Sequence, residues 1–237
     1  LGTRLASEIT TKIGMNNLED DHVIINLLGS AGQSLGAFSV KGTTLKIQGD
    51  ANDYVAKGLS GGKIIITPSE TSSLQTNTNV IIGNTVLYGA TKGTLYAAGI
   101  AGDRFAVRNS GAHAVIEGCG DNGCEYMTGG SIVILGEVGN NFGAGMTGGM
   151  AFAFDKEGTL PLRINLDDVF YQQQMTPYWE DILKNKITAY YAETNSQHAK
   201  DILDNWERDK FLFWQIIPKE MVNKFEQPVL VETTKTA

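Results

Sequence analysis

Apolar and polar residues alternate along four stretches of the chain in one shared frame. Alignment on Gly61-Gly62, Gly111-Ala112, Gly129-Gly130 and Gly148-Gly149 gives an apolar column at Ile64, Ala114, Ile132 and Ala151. Two residues on lies a second, Ile66, Ile116, Ile134 and Ala153. Lys63, His113, Ser131 and Met150 stand just before the first column, on the opposite side of the alternation. A period of two with β-branched residues predicts one strand per repeat, with one face turned inward. Between the two inward columns stands a third, Ile65, Val115, Val133 and Phe152. Alternation turns it outward, yet it is apolar throughout, so a cover over that face is expected.

The repeat has a length. With Gly42 and Gly93 added more loosely, the first glycines fall at 42, 61, 93, 111, 129 and 148, at intervals of 19, 32, 18, 18 and 19. The long interval holds the Ser/Thr/Asn-rich stretch 68–79, an inserted loop. Strands recurring every 18–19 residues with no helical segment between them predict a mainly β fold, a parallel β-helix of about six to seven coils. Six coils at about 4.8 Å make a rod about 30 Å long. An antiparallel sandwich would show turn signals every 8–12 residues and gives no reason for an 18-residue register. Gly61, Gly111, Gly129 and Gly148 are read as structural turn positions that need positive φ. Asp53, Asp103, Asp121 and Asn140 form an acidic or amide column suited to turn capping by local hydrogen bonds.

After Asp155 the pattern changes, giving a division into 1–155 and 156–237. Trp179, Ile182, Leu183, Ile187 and Tyr190 lie at helical spacing behind Pro177. Ser196 suits the cap of a second helix running through Ala199, Ile202, Leu203 and Trp206. Phe211–Ile217 reads as a short strand ended by Pro218, and the residues from about Gln227 as frayed. The aromatic residues of this tail read as packing, and its helices are the nearest candidate cover for the outward apolar column.

Gly118-Cys119-Gly120-Asp121-Asn122-Gly123 and Gly143-Ala144-Gly145-Met146-Thr147-Gly148 both spell the glycine pattern of a dinucleotide loop. That pattern binds a pyrophosphate when a helix follows it. Both copies run instead into strand-like residues, which makes them corners of coils. Cys119 and Cys124 with His113 supply at most three of four zinc ligands. Cys124 aligns with Ala56, Ala106 and Gly143, a column of small interior residues. Arg104 and Arg108 could hold an anion, pair with the acidic column or face a partner domain. The column Asp53, Asp103 and Asp121 could also imitate the carboxylate groove of a carbohydrate-active β-helix.

Composition narrows the function further. The 237 residues include 28 glycines, 5 prolines and 2 cysteines, with a net charge of −7. No cluster of Lys and Arg marks a nucleic-acid surface, and no apolar run reaches membrane-span length. Two cysteines give no disulfide framework, so the cytoplasm is the expected compartment. The opening residues read like mid-domain sequence, as in a piece of a longer protein.

Long blocks carry a resemblance. GDANDYVAKGLSGGKIIITP (49–68), IIGNTVLYGAT (81–91), AGDRFAVRNSGAHAVIEGCGDNGCEYMTGG (101–130) and GNNFGAGMTGGMAFAFD (139–155) resemble the C-terminal GXGXG domain of the glutamate synthase large subunit. SQHAKDILDNW (196–206) and FWQIIPKEM (213–221) are similar to the helical tail of that domain. The resemblance implies a right-handed parallel β-helix. It also implies a parent enzyme that makes two glutamates from glutamine and 2-oxoglutarate, passing ammonia through a tunnel from an amidotransferase domain to an FMN site. The expected partners are the amidotransferase and FMN-binding domains and a small subunit. FMN and an iron–sulfur cluster are expected in those other domains. No catalytic, cofactor-binding or metal residue carries over to this chain, and the implied role is to organise domains. A separately encoded GXGXG subunit of a split glutamate synthase or of a related oxidoreductase is the alternative within the same class.

Overall fold

The computed structural model describes residues 1–230. In chain order the elements are α1 (Thr3–Lys12), β1 (Val23–Leu28), β2 (Thr43–Gln48), β3 (Ser60–Thr67), β4 (Val80–Ile82), β5 (Lys92–Ala101), β6 (Ser110–Cys119), β7 (Thr128–Ile134), β8 (Gly148–Phe154), β9 (Val169–Gln172), α2 (Pro177–Thr194), α3 (Gln197–Asp204), α4 (Trp206–Asp209) and β10 (Phe213–Pro218). β1, β2, β3, β5, β6, β7 and β8 pair in that order, all parallel. The fold is a parallel β-solenoid. The repeat columns are its ladder: Leu45, Ile64, Leu95, Ala114, Ile132 and Ala151 are successive Cα partners. So are Ile47, Ile66, Ala97, Ile116, Ile134 and Ala153, and both columns are buried in one continuous core.

The corners are built differently from expectation. In each of six coils, three alternate residues have φ near +60°: Ser34, Gly36 and Phe38; Tyr54, Ala56 and Gly58; Thr85, Leu87 and Gly89; Arg104, Ala106 and Arg108; Asn122, Cys124 and Tyr126; Asn141, Gly143 and Gly145. Most are not glycine, although a left-handed residue with a side chain costs about 1–2 kcal/mol. Hydrogen bonding between coils compensates. The middle residue of each of the last five sets donates to the preceding coil, as in Ala56 N to Leu35 O at 2.9 Å, Leu87 N to Val55 O at 2.9 Å and Cys124 N to Phe105 O at 2.7 Å, and in the first set Gly36 N donates to Leu1 O at 2.8 Å. The third donates to the following coil, as in Gly58 N to Tyr88 O at 2.8 Å and Tyr126 N to Ala144 O at 2.8 Å. Left-handed residues at every second position therefore turn the chain without breaking the ladder.

Of the four glycines read as turns, only Gly61 has a positive φ, +128°. Gly111, Gly129 and Gly148 stand at or near the starts of strands, outside the positive-φ set. A Cβ at these three would fall inside contact with the carbonyl oxygens of Thr91, Ser110 and Thr128 on the coil before. Close backbone approach, not φ, requires glycine there.

The tail is not purely helical. β10 lies antiparallel between β8 and β9, so residues beyond 155 extend the sheet. α2 begins with Pro177 in its first turn and ends at Asn195 with φ 52°. Ser196 caps α3, its side chain accepting from Ala199 N at 3.1 Å. The helix expected to run through Trp206 breaks at Asn205 into α3 and α4, and the expected strand starts at Phe213, two residues late. α1 carries no strong sequence signal and was not foreseen. The frayed end expected from about Gln227 lies largely outside the described residues.

Gly148→Ala should cost about 1–3 kcal/mol in urea unfolding, because the added methyl must push two coils apart. Gly32→Ala is the control: its added Cβ meets nothing within 4 Å, and stability should hold or rise by up to about 1 kcal/mol.

Candidate functional site

Three places hold the chemistry the sequence singled out: the corner ladder, the face beneath α2, and the cleft beside the 68–79 loop. On the ladder, each Asx side chain bridges to the next coil. Asn84 N donates to Asp53 Oδ1 at 2.8 Å, Asp103 N to Asn84 Oδ1 at 2.8 Å, Asp121 N to Asp103 Oδ1 at 2.9 Å and Asn140 N to Asp121 Oδ1 at 2.6 Å. The column was expected to cap its own turns. It caps the coil above instead, and Asn84 belongs to it. A Cβ at Gly83, Gly102, Gly120 or Gly139 would strike the Asx oxygen of the coil below. The recurring Gly-Asx pair is therefore one device, a cap and the space to receive it.

The same bonds account for both dinucleotide-like loops. A pyrophosphate needs free amides, and most of these are already bonded. Gly120 N donates to Ala101 O and Gly102 O, Asn122 N to Asn140 O and Cys124 N to Phe105 O. In the second loop, Gly143 N donates to Gly123 O, Gly145 N to Asp168 Oδ2 and Thr147 N to Met127 O.

Cys119 and Cys124 face the core, and burial pushes the Cys119 thiol up to about 12 and the Cys124 thiol well above its ordinary value. His113 lies on the other side of the sheet, its Nδ1 2.7 Å from Ser131 Oγ. The three candidate zinc ligands are thus separated by the sheet, and among the described residues no group of three His, Cys, Asp or Glu could hold a metal. A three-cysteine iron–sulfur cluster does not fit these two interior thiols. Arg104 reaches Glu125 at 3.4 Å, not the Asp column, and Arg108 lies over the Tyr126 ring.

The outward apolar column is covered. Val115, Val133 and Phe152 are buried in one cluster with Trp179, Leu183, Ile187, Tyr190, Ile202 and Trp206 of the tail helices. Tyr96, the residue between Ile65 and Val115 in the register, meets Tyr190 edge-on at 5.8 Å. Under α2 lies a buried carboxylate that sequence reasoning missed. Glu117 Oε1 accepts from Tyr190 Oη at 2.7 Å and Ser196 Oγ at 2.5 Å, while Oε2 has no protein partner. The GAHAVIEG stretch gives no sign that an outward Glu would be sealed by a tyrosine seventy residues on.

At the end of α2, Glu193 takes Lys63 at 3.0 Å and Lys46 at 3.2 Å, and Lys63 also reaches Asp21 at 3.1 Å. Hydrogen bonds from Thr44 and Lys63 hold Asp21 below its ordinary range. Burial pushes Glu193 up, but the lysine hydrogen bonds outweigh it and the group is lowered. The cleft of about 720 Å³ between the 68–79 loop and the α2–α3 junction is lined mostly by neutral polar residues, among them Gln48, Gln75 and Asn195. Glu70, Glu193, His198 and Asp201 also line it.

The GXGXG motif family model matches residues 1–219. The chain is 58% identical over 229 residues to the glutamate synthase (NADPH) large chain of Azospirillum brasilense, an alignment covering 97% of this chain and 15% of that protein. It is 53% identical over 218 residues to ferredoxin-dependent glutamate synthase 2 of Synechocystis sp., covering 92% and 14%. It is 46% identical over 220 residues to glutamate synthase (NADH) of Schizosaccharomyces pombe, covering 93% and 10%. The chain thus spans about a seventh or less of the length of these relatives.

Tyr190→Phe should cost about 1–3 kcal/mol in urea unfolding, since Glu117 loses a buried donor. The carboxylates at the α2 end have lowered folded-state pKa values. Their contribution is present above their unfolded values, near pH 4, and is lost as pH falls through the lowered folded values. Melting temperature against pH should therefore fall less steeply below pH 4.5 in Glu193→Gln than in the wild type.

Proposed function

The chain belongs to the GXGXG motif family, and from that premise we propose that it is the domain-organising GXGXG segment of a glutamate synthase large chain. The observation that carries this is the 58% identity to a 15% segment of the Azospirillum brasilense NADPH enzyme. The surrounding enzyme, on this reading, converts glutamine, 2-oxoglutarate and two electrons into two glutamates. Its amidotransferase and FMN-binding domains, with a small subunit, supply the chemistry and the cofactors. This segment supplies geometry. A solenoid whose amides are bonded coil to coil is stiff along its axis, and a stiff body holds two domains at a fixed separation. No helix among the described residues is long and apolar enough to cross a membrane. A cytoplasmic place in nitrogen assimilation is part of the same proposal.

Replacing this segment in the large chain by a flexible linker of equal length should abolish glutamine-dependent glutamate synthesis while glutamine hydrolysis persists. Undiminished synthesis would overturn the organising role. In titration calorimetry the 237-residue chain alone should bind neither FMN nor NADPH, and micromolar binding of either would contradict the assignment.

A further inference from the structure

The two ends of the solenoid are finished differently. At one end β8 is followed by β10 and β9, and Phe142 pairs with Ile164, so the last coil is closed by the chain's own residues. At the other end β1 is the outermost strand and pairs only with β2. Ile25 and Leu27 stand on the two inward columns beside Leu45 and Ile47. Yet they are only partly buried, whereas Leu45 and Ile47 are 1% and 2% exposed. The core is open there. Ile24 and Leu28 on the outer face are 51% and 83% exposed.

The backbone is open too. Val23 N donates to Gly42 O and Gly29 N to Gln48 O, both toward the second coil. By the alternation of a parallel ladder, the N–H groups of Ile24, Asn26 and Leu28 point away from it. VIINLL has no charge, no proline and strong β propensity. Edge strands in natural proteins are usually blunted by such residues, and solenoid ends by polar caps. At this end the N-terminal segment finishes only the corner, where Gly36 N donates to Leu1 O and Ala6 and Ile9 of α1 pack with Val40; β1 itself has no charge or proline and, among the described residues, no strand on its outer side.

We infer that the β1 edge is the docking surface of the solenoid, occupied by an extended segment from elsewhere in the same large-chain polypeptide, which adds a strand to β1 and closes the core over Ile25 and Leu27. The inference rests on the reading of this chain as part of a glutamate synthase large chain. Relatives carry this segment as 10–15% of a much longer chain. A segment tethered in the same polypeptide has a high effective concentration and outcompetes a second copy of the domain. Pairing along an edge takes its affinity from main-chain bonds and its selectivity from alternate side chains. That suits a partner strand presenting apolar residues toward Ile25 and Leu27.

Amide hydrogen exchange read by mass spectrometry with residue-level fragmentation tests it. In the 237-residue chain the amides of Ile24, Asn26 and Leu28 should exchange freely, while those of Ile25 and Leu27 are protected. In the full-length large chain the three free amides should slow by ~100-fold or more. If they exchange as fast there as in the 237-residue chain, the inference falls. If that same enzyme still makes glutamate only with its GXGXG segment intact, the organising role survives the loss. Slowing in the 237-residue chain that grows with its concentration would identify a second copy as occupant, and also overturn the inference. Leu28→Lys supplies an independent reading. It should leave the melting temperature of the 237-residue chain unchanged and lower protection at Ile24 and Asn26 in the full-length chain by ~10-fold or more. Unchanged protection would count against a strand docked at β1.

Discussion

Everything in this molecule is subordinate to the spacing at which one coil stacks on the next. Parallel strands lie about 4.8 Å apart in the hydrogen-bonding direction, and here the corners must hold the same spacing as the strands. The left-handed residues meet that demand by keeping N–H groups pointed alternately up and down the stack. Glycines at Gly111, Gly129 and Gly148 meet it by letting backbone approach backbone. The Asx ladder meets it by spanning from one coil to the next. Three features that look separate in the sequence are three answers to one distance.

The same spacing sets the glycine-rich loops here apart from a phosphate-binding loop. A phosphate loop works because its amides have no other partner. In a solenoid an inner corner has a neighbouring corner on each side, and most of the amides of these two loops, among them those of Gly120, Asn122, Cys124, Gly143, Gly145 and Thr147, are bonded to it or to the tail. What remains for recognition is the places where stacking stops, which are the outer faces and the two ends.

One outer face is taken by the tail. An apolar column that faces outward has to be buried by something, and α2 and α3 bury it, sealing Glu117 against Tyr190 and Ser196. The salt links from Glu193 to Lys46 and Lys63 fasten the end of α2 over the early coils. These ion pairs are partly exposed and add little individually, so the apolar contact holds the helix and the charges set where it ends. The tail is thereby integral to the core it covers, and β10 continues the sheet beyond β8.

The sequence by itself determined the solenoid, its inward columns and their register, the need for a cover, and the positions of α2 and the cap at Ser196. Each of these is written in local periodicity or in a residue with one strong conformational preference. Only the tertiary structure decided why each glycine is there, where the Asx oxygens point and what meets Glu117. Those outcomes depend on the coil above or below, about eighteen residues away, or on a helix about seventy residues on. Gly111 and Gly61 occupy the same alignment column, yet Gly111 is needed for contact alone, whereas Gly61 combines a positive φ with close approach to Lys41 N. A single chain of letters does not distinguish the two, because steric exclusion between coils exists only once the coils are stacked. The helix α1 and the break at Asn205 escaped for the converse reason, since packing overrode weak local signals. The open edge at β1 was likewise invisible, because which strand is last is a property of the stack and not of any strand.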